Sequence, residues 1–384
     1  MSRIIPLSEP VFSKLERKYL NDCLNSGWVS TAGPLVQRLE NEFKSLVCSK
    51  FSVACNSGTS ALHLALKSIG VKKNEYVIVS NLTFIASVNV IKYEGAIPIL
   101  VDCCNKTAQM DVKLLKEFLE TKSFVYEKKC FLKKNKKRIS AIIVVHLYGH
   151  SAEIDILKKL AKKFHLKIIE DAAESVGVKF NNKYLGTFGD IGCFSFNGNK
   201  IITSGAGGIL VTNNSIIAKK CEILSQQGKV FGKKISYKEI GYNYKINNLN
   251  ASLGLAQLQN LGNIIDRKRK IASIYQKELK DFAAIDFISP IKECFSTWWL
   301  FNIVLNKKSK INVIELQEIL KKQKIESRRI WQPINFLRPY RKAILIGGKA
   351  SKDLYQKSLS IPSSISLKKT EQIKIISIIK SAIT

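Results

Sequence analysis

Between about residues 50 and 212, short runs of consecutive apolar residues alternate with segments of helical periodicity. Residues 51–55, 76–80, 97–101, 141–145, 167–169, 192–196 and 208–211 read as strands. Several of them, such as Ile142-Ile143-Val144-Val145, are β-branched and apolar throughout, the pattern of strands buried on both faces. Apolar-periodic helices are predicted between them, at 59–69 and 83–93. Strands alternating with helices predict βαβ units, hence an α/β fold with a mostly parallel central sheet covered by helices.

The texture changes after residue 247. Residues 248–280 pattern as one long helical region, and short strands such as 298–305 follow, with helices at 313–323 and 368–381. This predicts a smaller C-terminal α+β domain. The expected division is 1–250 for a large α/β domain and 251–384 for the small one. A chain of 384 residues is long enough to bury more than one core.

Composition adjusts this picture in two ways. The formal charge of +32 raises the possibility of a polyanion-binding protein. However, the lysines are spread along every segment and often fall on polar helix faces. The densest run, Lys128 to Arg138, reads as a solvated loop without the aromatic ladder that nucleic-acid bases require. Neither a nucleic-acid nor a membrane partner is therefore expected. No stretch approaches the ~18 apolar residues of a bilayer span. The nine cysteines show no CxxC pair or zinc spacing, so reduced thiols in a cytoplasmic protein, and no metal, are expected.

Three motifs carry candidate chemistry. In Asn56-Ser57-Gly58-Thr59-Ser60-Ala61-Leu62, a strand runs into a small polar turn and a helix begins at once. Such a turn offers free N–H groups at the positive end of a helix dipole, which suits either a phosphate or an ordinary helix cap. In Glu170-Asp171-Ala172-Ala173-Glu174-Ser175, Asp171 falls at the carboxyl end of a buried strand, where open α/β sheets place ligands. A carboxylate there needs a cationic partner, and a protonated pyridine nitrogen, a metal or a helix N-terminus would each serve. In Ser195-Phe196-Asn197-Gly198-Asn199-Lys200, a strand delivers one lysine into a run of small residues, followed by the glycine-rich Gly205-Ala206-Gly207-Gly208. A planar ring can approach such a lysine closely, and desolvation would favour its nucleophilic amine.

Together with Gly27-Trp28-Val29-Ser30-Thr31-Ala32-Gly33-Pro34, Thr83-Phe84-Ile85-Ala86-Ser87, Val145-His146-Leu147-Tyr148-Gly149 and Gly241-Tyr242-Asn243-Tyr244-Lys245, these motifs stand in the order found in a known family. The chain resembles, over nearly its whole length, the DegT/DnrJ/StrS-type sugar aminotransferases of the fold-type I pyridoxal 5'-phosphate enzymes. The resemblance implies that Lys200 forms the Schiff base with the cofactor and shuttles the proton of the 1,3-shift. It implies that Asp171 pairs with the pyridine nitrogen, that Gly58, Thr59 and Ser195 hold the phosphate, and that Phe84 stacks on the ring. Glu174 matches a position that reaches the ring hydroxyl and is glutamine in many members. Asn243 matches an asparagine that reaches the phosphate of a neighbouring subunit, which implies a homodimer with shared active sites. The lysine at position 200 also excludes the family's sugar 3-dehydratases, which carry histidine there.

The same resemblance assigns substrate contacts to Ser30 and Thr31 and to Arg329 and Trp331 in Glu326-Ser327-Arg328-Arg329-Ile330-Trp331-Gln332-Pro333. The expected reaction is transfer of an amino group from L-glutamate to C4 of a UDP-linked 4-keto-6-deoxy-N-acetylhexosamine, in surface-glycan sugar biosynthesis. A GDP-perosamine-type or dTDP-4-keto-sugar aminotransferase is the nearest alternative. A regulatory or polyanion-binding protein built on the same fold is the alternative of another class. His63 is expected to be a packed core histidine, and Trp298 and Trp299 to belong to the small domain's core.

Overall fold

A computed structural model of the chain describes residues 3–383 except 231, 233 and 238. The strands read from the apolar runs form one large sheet. Its order is Phe51–Cys55, Gly208–Thr212, Ile191–Ser195, Lys167–Asp171, Arg138–Val145, Tyr76–Ser80, Ile97–Val101 and Ile344–Ile346. Gly208–Thr212 runs antiparallel to both neighbours, whereas the remaining pairings along this order are parallel. The sheet is therefore mostly parallel, as expected, and its last strand comes from far along the chain.

Both faces of the sheet are covered, which explains why its strands are apolar without alternation. The pleat still sorts their side chains. Val77, Val79, Ile143, Val145 and Ile169 enter one core, while Tyr76, Ile78, Ile142, Val144 and Ile168 enter the other. The first core packs against helices Pro34–Val47, Gly58–Ser68 and Asn248–Gln259, and the second against Val112–Lys122 and Ile154–Lys163.

A four-stranded antiparallel sheet, in the order Ile285–Phe287, Phe301–Leu305, Ser358–Ile361 and Arg328–Arg329, forms a third core with helices Leu261–Leu279, Val313–Lys322 and Lys369–Ile383. The predicted single helix of 248–280 is two helices, Asn248–Gln259 and Leu261–Leu279. Asn260, at φ −95° and ψ 5°, caps the end of the first, as a residue whose side chain competes with helical bonding can do. The lysine-rich run is also more ordered than a loop. Ser123–Tyr126 and Lys129–Leu132 form an antiparallel hairpin that extends the start of Arg138–Val145. The ring of Phe124 stacks on Phe131 at 5.6 Å, and alternate burial of Cys130 and Leu132 gives the strand an inner face.

One buried hydrogen-bonded pair pins the centre of the large sheet. Glu170 is fully buried and accepts N–H groups from Gly186, Phe188 and Gly189 and a 3.1 Å bond from His146 Nε2. The Ala152 N–H donates to His146 Nδ1, so Nε2 carries the proton that Glu170 receives. Burial alone would raise the Glu170 carboxyl; the His146 bond and charge with the Gly189 and Gly186 N–H groups outweigh it and hold the carboxyl below its ordinary value. Its stabilisation is therefore complete at neutral pH and disappears as pH falls through that lowered value. Glu170→Ala would leave four donors, those of His146 and Gly186 buried, without an acceptor and is expected to cost about 3–5 kcal/mol in denaturant unfolding. A loss below about 1 kcal/mol would contradict this account.

Candidate active site

The parallel strands end on a common side. There, Val145, Asp171 and Ser195 close the floor of a cavity of about 410 Å³. Ligands of open α/β sheets bind at such strand ends. Gly58, Thr59, Phe84, Asp171, Glu174, Ser195, Lys200 and Trp331, each singled out from the sequence, all line this one cavity.

One wall is the start of the helix Gly58–Ser68. Ser57 caps it, accepting the Ser60 N–H at 3.0 Å. The capped turn thus lines the cavity, and the N–H groups of the helix's first turn have no acceptor within the helix. The turn lies hard against the sheet. A Cβ at Gly208 would sit 2.6 Å from the Gly58 nitrogen, and one at Gly58 would sit 2.8 Å from Ser195 Cβ. Only glycine at both positions lets the helix start, the strand and the Ser195 hydroxyl come this close together.

Asp171 forms the opposite end of the floor. It is 4% exposed, and both its hydrogen-bond donors are neutral: Ser87 Oγ at 2.6 Å and the Ala173 N–H at 3.1 Å. Burial raises its carboxyl above the ordinary value, against the lowering effects of Ser87, Ala173 N–H and the charges of Lys200 and His146. A cationic N–H entering the cavity would reverse that rise. Ser87 closes the motif Thr83–Ser87 but has no role assigned from the sequence, although it stands one helical turn beyond Thr83, to which its hydroxyl is bonded at 3.1 Å.

Lys200 projects between these two ends. Burial lowers its amine, opposed by the carboxylates of Glu174 and Asp171. Its Nζ lies 3.7 Å from Glu174 Oε1 and 4.1 Å from the centroid of the Trp299 ring. Trp299 had been expected in the small domain's core. It instead joins the core of the large sheet, whereas Trp298 packs with Phe301 beside the small sheet. Glu174 is held by the Tyr148 N–H at 2.8 Å and the Trp331 indole N–H at 3.1 Å. Burial raises its carboxyl, with Lys200 the main opposing influence. Phe84 and Trp331 meet at 5.0 Å and roof the cavity.

The remaining predicted residues lie elsewhere. Ser30, Thr31 and Asn243 are exposed and do not line this cavity. Arg329 donates to the Tyr355 carbonyl at 2.7 Å and stacks on the Tyr355 ring, whereas its neighbour Arg328 lines the cavity and covers Trp331 at 4.5 Å. Successive residues of a strand point to opposite sides, so only one of the two arginines can face the cavity. His63 is buried and bonded to Glu94 at 2.8 Å and Tyr244 at 3.1 Å, away from the site.

Residues 11–380 match the DegT/DnrJ/EryC1/StrS aminotransferase family. The GDP-perosamine synthase of Escherichia coli O157:H7 is 37% identical over 373 residues, which is 97% of each chain. That of Vibrio cholerae is 38% identical over 337 residues, 88% of this chain and 87% of its own. Among solved structures, a DegT DnrJ EryC1 StrS aminotransferase from Brucella abortus superposes with a TM-score of 0.88 at 26% identity, covering 96% of this chain and 95% of its own. The chain belongs to the DegT/DnrJ/EryC1/StrS aminotransferase family and is a nucleotide-sugar aminotransferase of fold-type I that depends on pyridoxal phosphate.

Proposed function

We propose that this enzyme aminates a keto carbon of a GDP-linked sugar, giving a product of the GDP-perosamine type, with Lys200 as the lysine that bonds to the cofactor. The observation that carries the chemistry is the convergence of Lys200, Asp171 and the Gly58–Thr59 turn on one cavity. The residues fit the cofactor. The glycine-lined turn with Ser195 suits a phosphate, and the buried, neutrally bonded Asp171 carboxylate suits a ring nitrogen that carries a proton.

When bound, pyridoxal phosphate supplies a carbonyl that takes up the donor's amino group and a ring that accepts electrons from the reacting carbon. The chain's own residues supply the rest. The N–H groups of Gly58 and Thr59 and the Ser195 hydroxyl hold the phosphate. Asp171 keeps a proton on the ring nitrogen, and Phe84 covers the ring. Lys200 Nζ takes and returns the proton that moves during transfer. Glu174 stands within Coulomb reach of Nζ and favours its charged form, while also fixing the Trp331 indole. Arg328, rather than Arg329, offers its charge to an anionic substrate at the cavity. L-Glutamate is proposed as the donor. Exposed Asn243 is proposed to complete the site of a second copy in a homodimer. The nine free thiols suit a cytoplasmic enzyme.

The sugar is where the sequence motifs and the relatives part. The motifs favoured a UDP-linked N-acetylhexosamine; the identity to two GDP-perosamine synthases favours the GDP reading. Incubating the holoenzyme and glutamate with GDP-, UDP- and dTDP-linked 4-keto-6-deoxy sugars, and weighing the products, separates them. The GDP sugar is expected to react at least about 10²-fold more efficiently, the discrimination that a few polar contacts supply. Amination of the UDP sugar alone would overturn the choice of nucleotide and leave the reaction class standing.

A further inference from the structure

The indole beneath Lys200 is itself held in place. Trp299 is fully buried, and its Nε1–H donates at 2.7 Å to the carbonyl of Asn199, the residue before Lys200. The main-chain carbonyl of Trp299 accepts a 2.9 Å hydrogen bond from Nζ of Lys268, which donates a second, also of 2.9 Å, to the Ser363 carbonyl. Lys268 lies on the helix Leu261–Leu279 and is 4% exposed. A lysine buried on two neutral carbonyls is expensive compared with an apolar side chain of similar size. Burial alone carries its pKa down to about 7. A neutral amine has two N–H donors, which match the two carbonyls, so the pair of bonds survives in either protonation state.

Ser363 is braced in turn. Its N–H donates to the Leu7 carbonyl, and its hydroxyl accepts the Phe301 N–H and donates to the Ile361 carbonyl. Lys268 therefore ties the segment leading into Phe301–Leu305 to the end of Ser358–Ile361 and, through it, to the N-terminal segment. The consequence reaches Lys200, because the plate on which its amine rests is fixed at both ends: at Asn199 through the indole N–H and at Lys268 through the main chain.

We propose that Lys268 is a positioning residue for Lys200, acting through Trp299 to keep the lysine's nitrogen over the indole face. This rests on the reading of Lys200 as the cofactor's lysine. During transfer the Lys200 amine is released and must stay within reach of the reacting carbon. A long, flexible side chain does so only if something attracts and centres it, and an indole face does this for a cationic nitrogen. Glu174 and Asp171 from the sheet side, and Arg328 from the small-sheet side, face the same nitrogen and set its charge balance. The indole adds attraction with a fixed position.

The test compares Lys268→Gln with Lys268→Met. Both remove the charge, and only methionine removes the N–H donors. The readout is the pH midpoint of the visible absorbance of the resting holoenzyme, without turnover. Lys200→Ala must lack this band if the underlying reading holds, so failure of that reading is seen separately. The midpoint of Lys268→Met is expected to lie below that of Lys268→Gln, and Trp299→Leu is expected to lower the midpoint by about one pH unit. In the Trp299→Leu background the gap between the glutamine and methionine variants should vanish, since the path of action is gone. Equal midpoints for the two variants, or a gap that survives loss of the indole, would overturn the proposal. Should Lys268→Met not fold, Trp299→Leu decides alone: an unchanged midpoint means that Lys268 has no plate to act through.

Discussion

Lys200→Ala is expected to lower turnover by roughly four orders of magnitude or more, to abolish the visible absorbance of the lysine-bound cofactor, and to leave the protein folded. The size follows from two losses at one atom. In the proposed role, Nζ would supply the covalent attachment and would also take the proton that must move between carbons during transfer. Among the described residues no other amine lines the cavity, where Arg328 brings a guanidinium instead. Folding should survive, because the Lys200 side chain caps nothing; its main-chain N–H, bonded to the Asn197 carbonyl, is untouched by the substitution. Absorbance, single-turnover rate and thermal melting of the purified variant check the three parts. A variant that keeps both the band and a rate within tenfold of wild type would show that another group does this work.

Asp171→Asn is expected to cost about 10³-fold in the rate of amino transfer, equivalent to about 4 kcal/mol in the barrier, with smaller losses in cofactor binding. The substitution keeps the size of the side chain and the Ala173 N–H bond on Oδ1, while the Ser87 hydroxyl, now bonded to the other oxygen, would turn to accept from the new amide. It removes the negative charge that favours a proton on the ring nitrogen. Without that proton the ring takes up electrons poorly, so the step that breaks the bond at the reacting carbon should slow most. A single-turnover measurement with glutamate alone isolates this step from any contact with the sugar. Retention of more than a tenth of the wild-type rate would remove Asp171 from the chemistry. Because burial already raises its carboxyl, an enzyme without cofactor should also lose the Asp171 charge at a higher pH than an exposed aspartate does.

Much of this site is legible from sequence because its requirements are local. A strand buried on both faces must be apolar, and an abrupt polar residue at its end, such as Asp171, stands out against that background. The Gly58 turn announces itself because close packing of the helix start against Ser195 and Gly208 admits only small residues. What escaped depends on partners distant in sequence. Trp299 looks like any core tryptophan until the chain brings it beneath Lys200. The choice between Arg328 and Arg329 turns on the register of a two-residue strand, which no periodicity over so short a span can fix. The edge strand Ile344–Ile346 was missed for the same reason, since its pairing with Ile97–Val101 joins segments some 245 positions apart. The hairpin at Lys129–Leu132 was hidden by the lysines that flank it in sequence and mask the buried Cys130 and Leu132.

Glu170 and Asp171 are adjacent, acidic and buried, yet they are separated by the thickness of the sheet. One faces His146 and a ring of N–H groups, and the other faces the cavity. Exchange of their places needs only a slip of one residue in the strand between its parallel neighbours, which would send the wrong carboxylate to each side. The donors gathered around Glu170 reject such a slip, because aspartate is one methylene too short to reach them all. Glu170, which does not line the cavity, thus fixes the register that keeps Asp171 facing it.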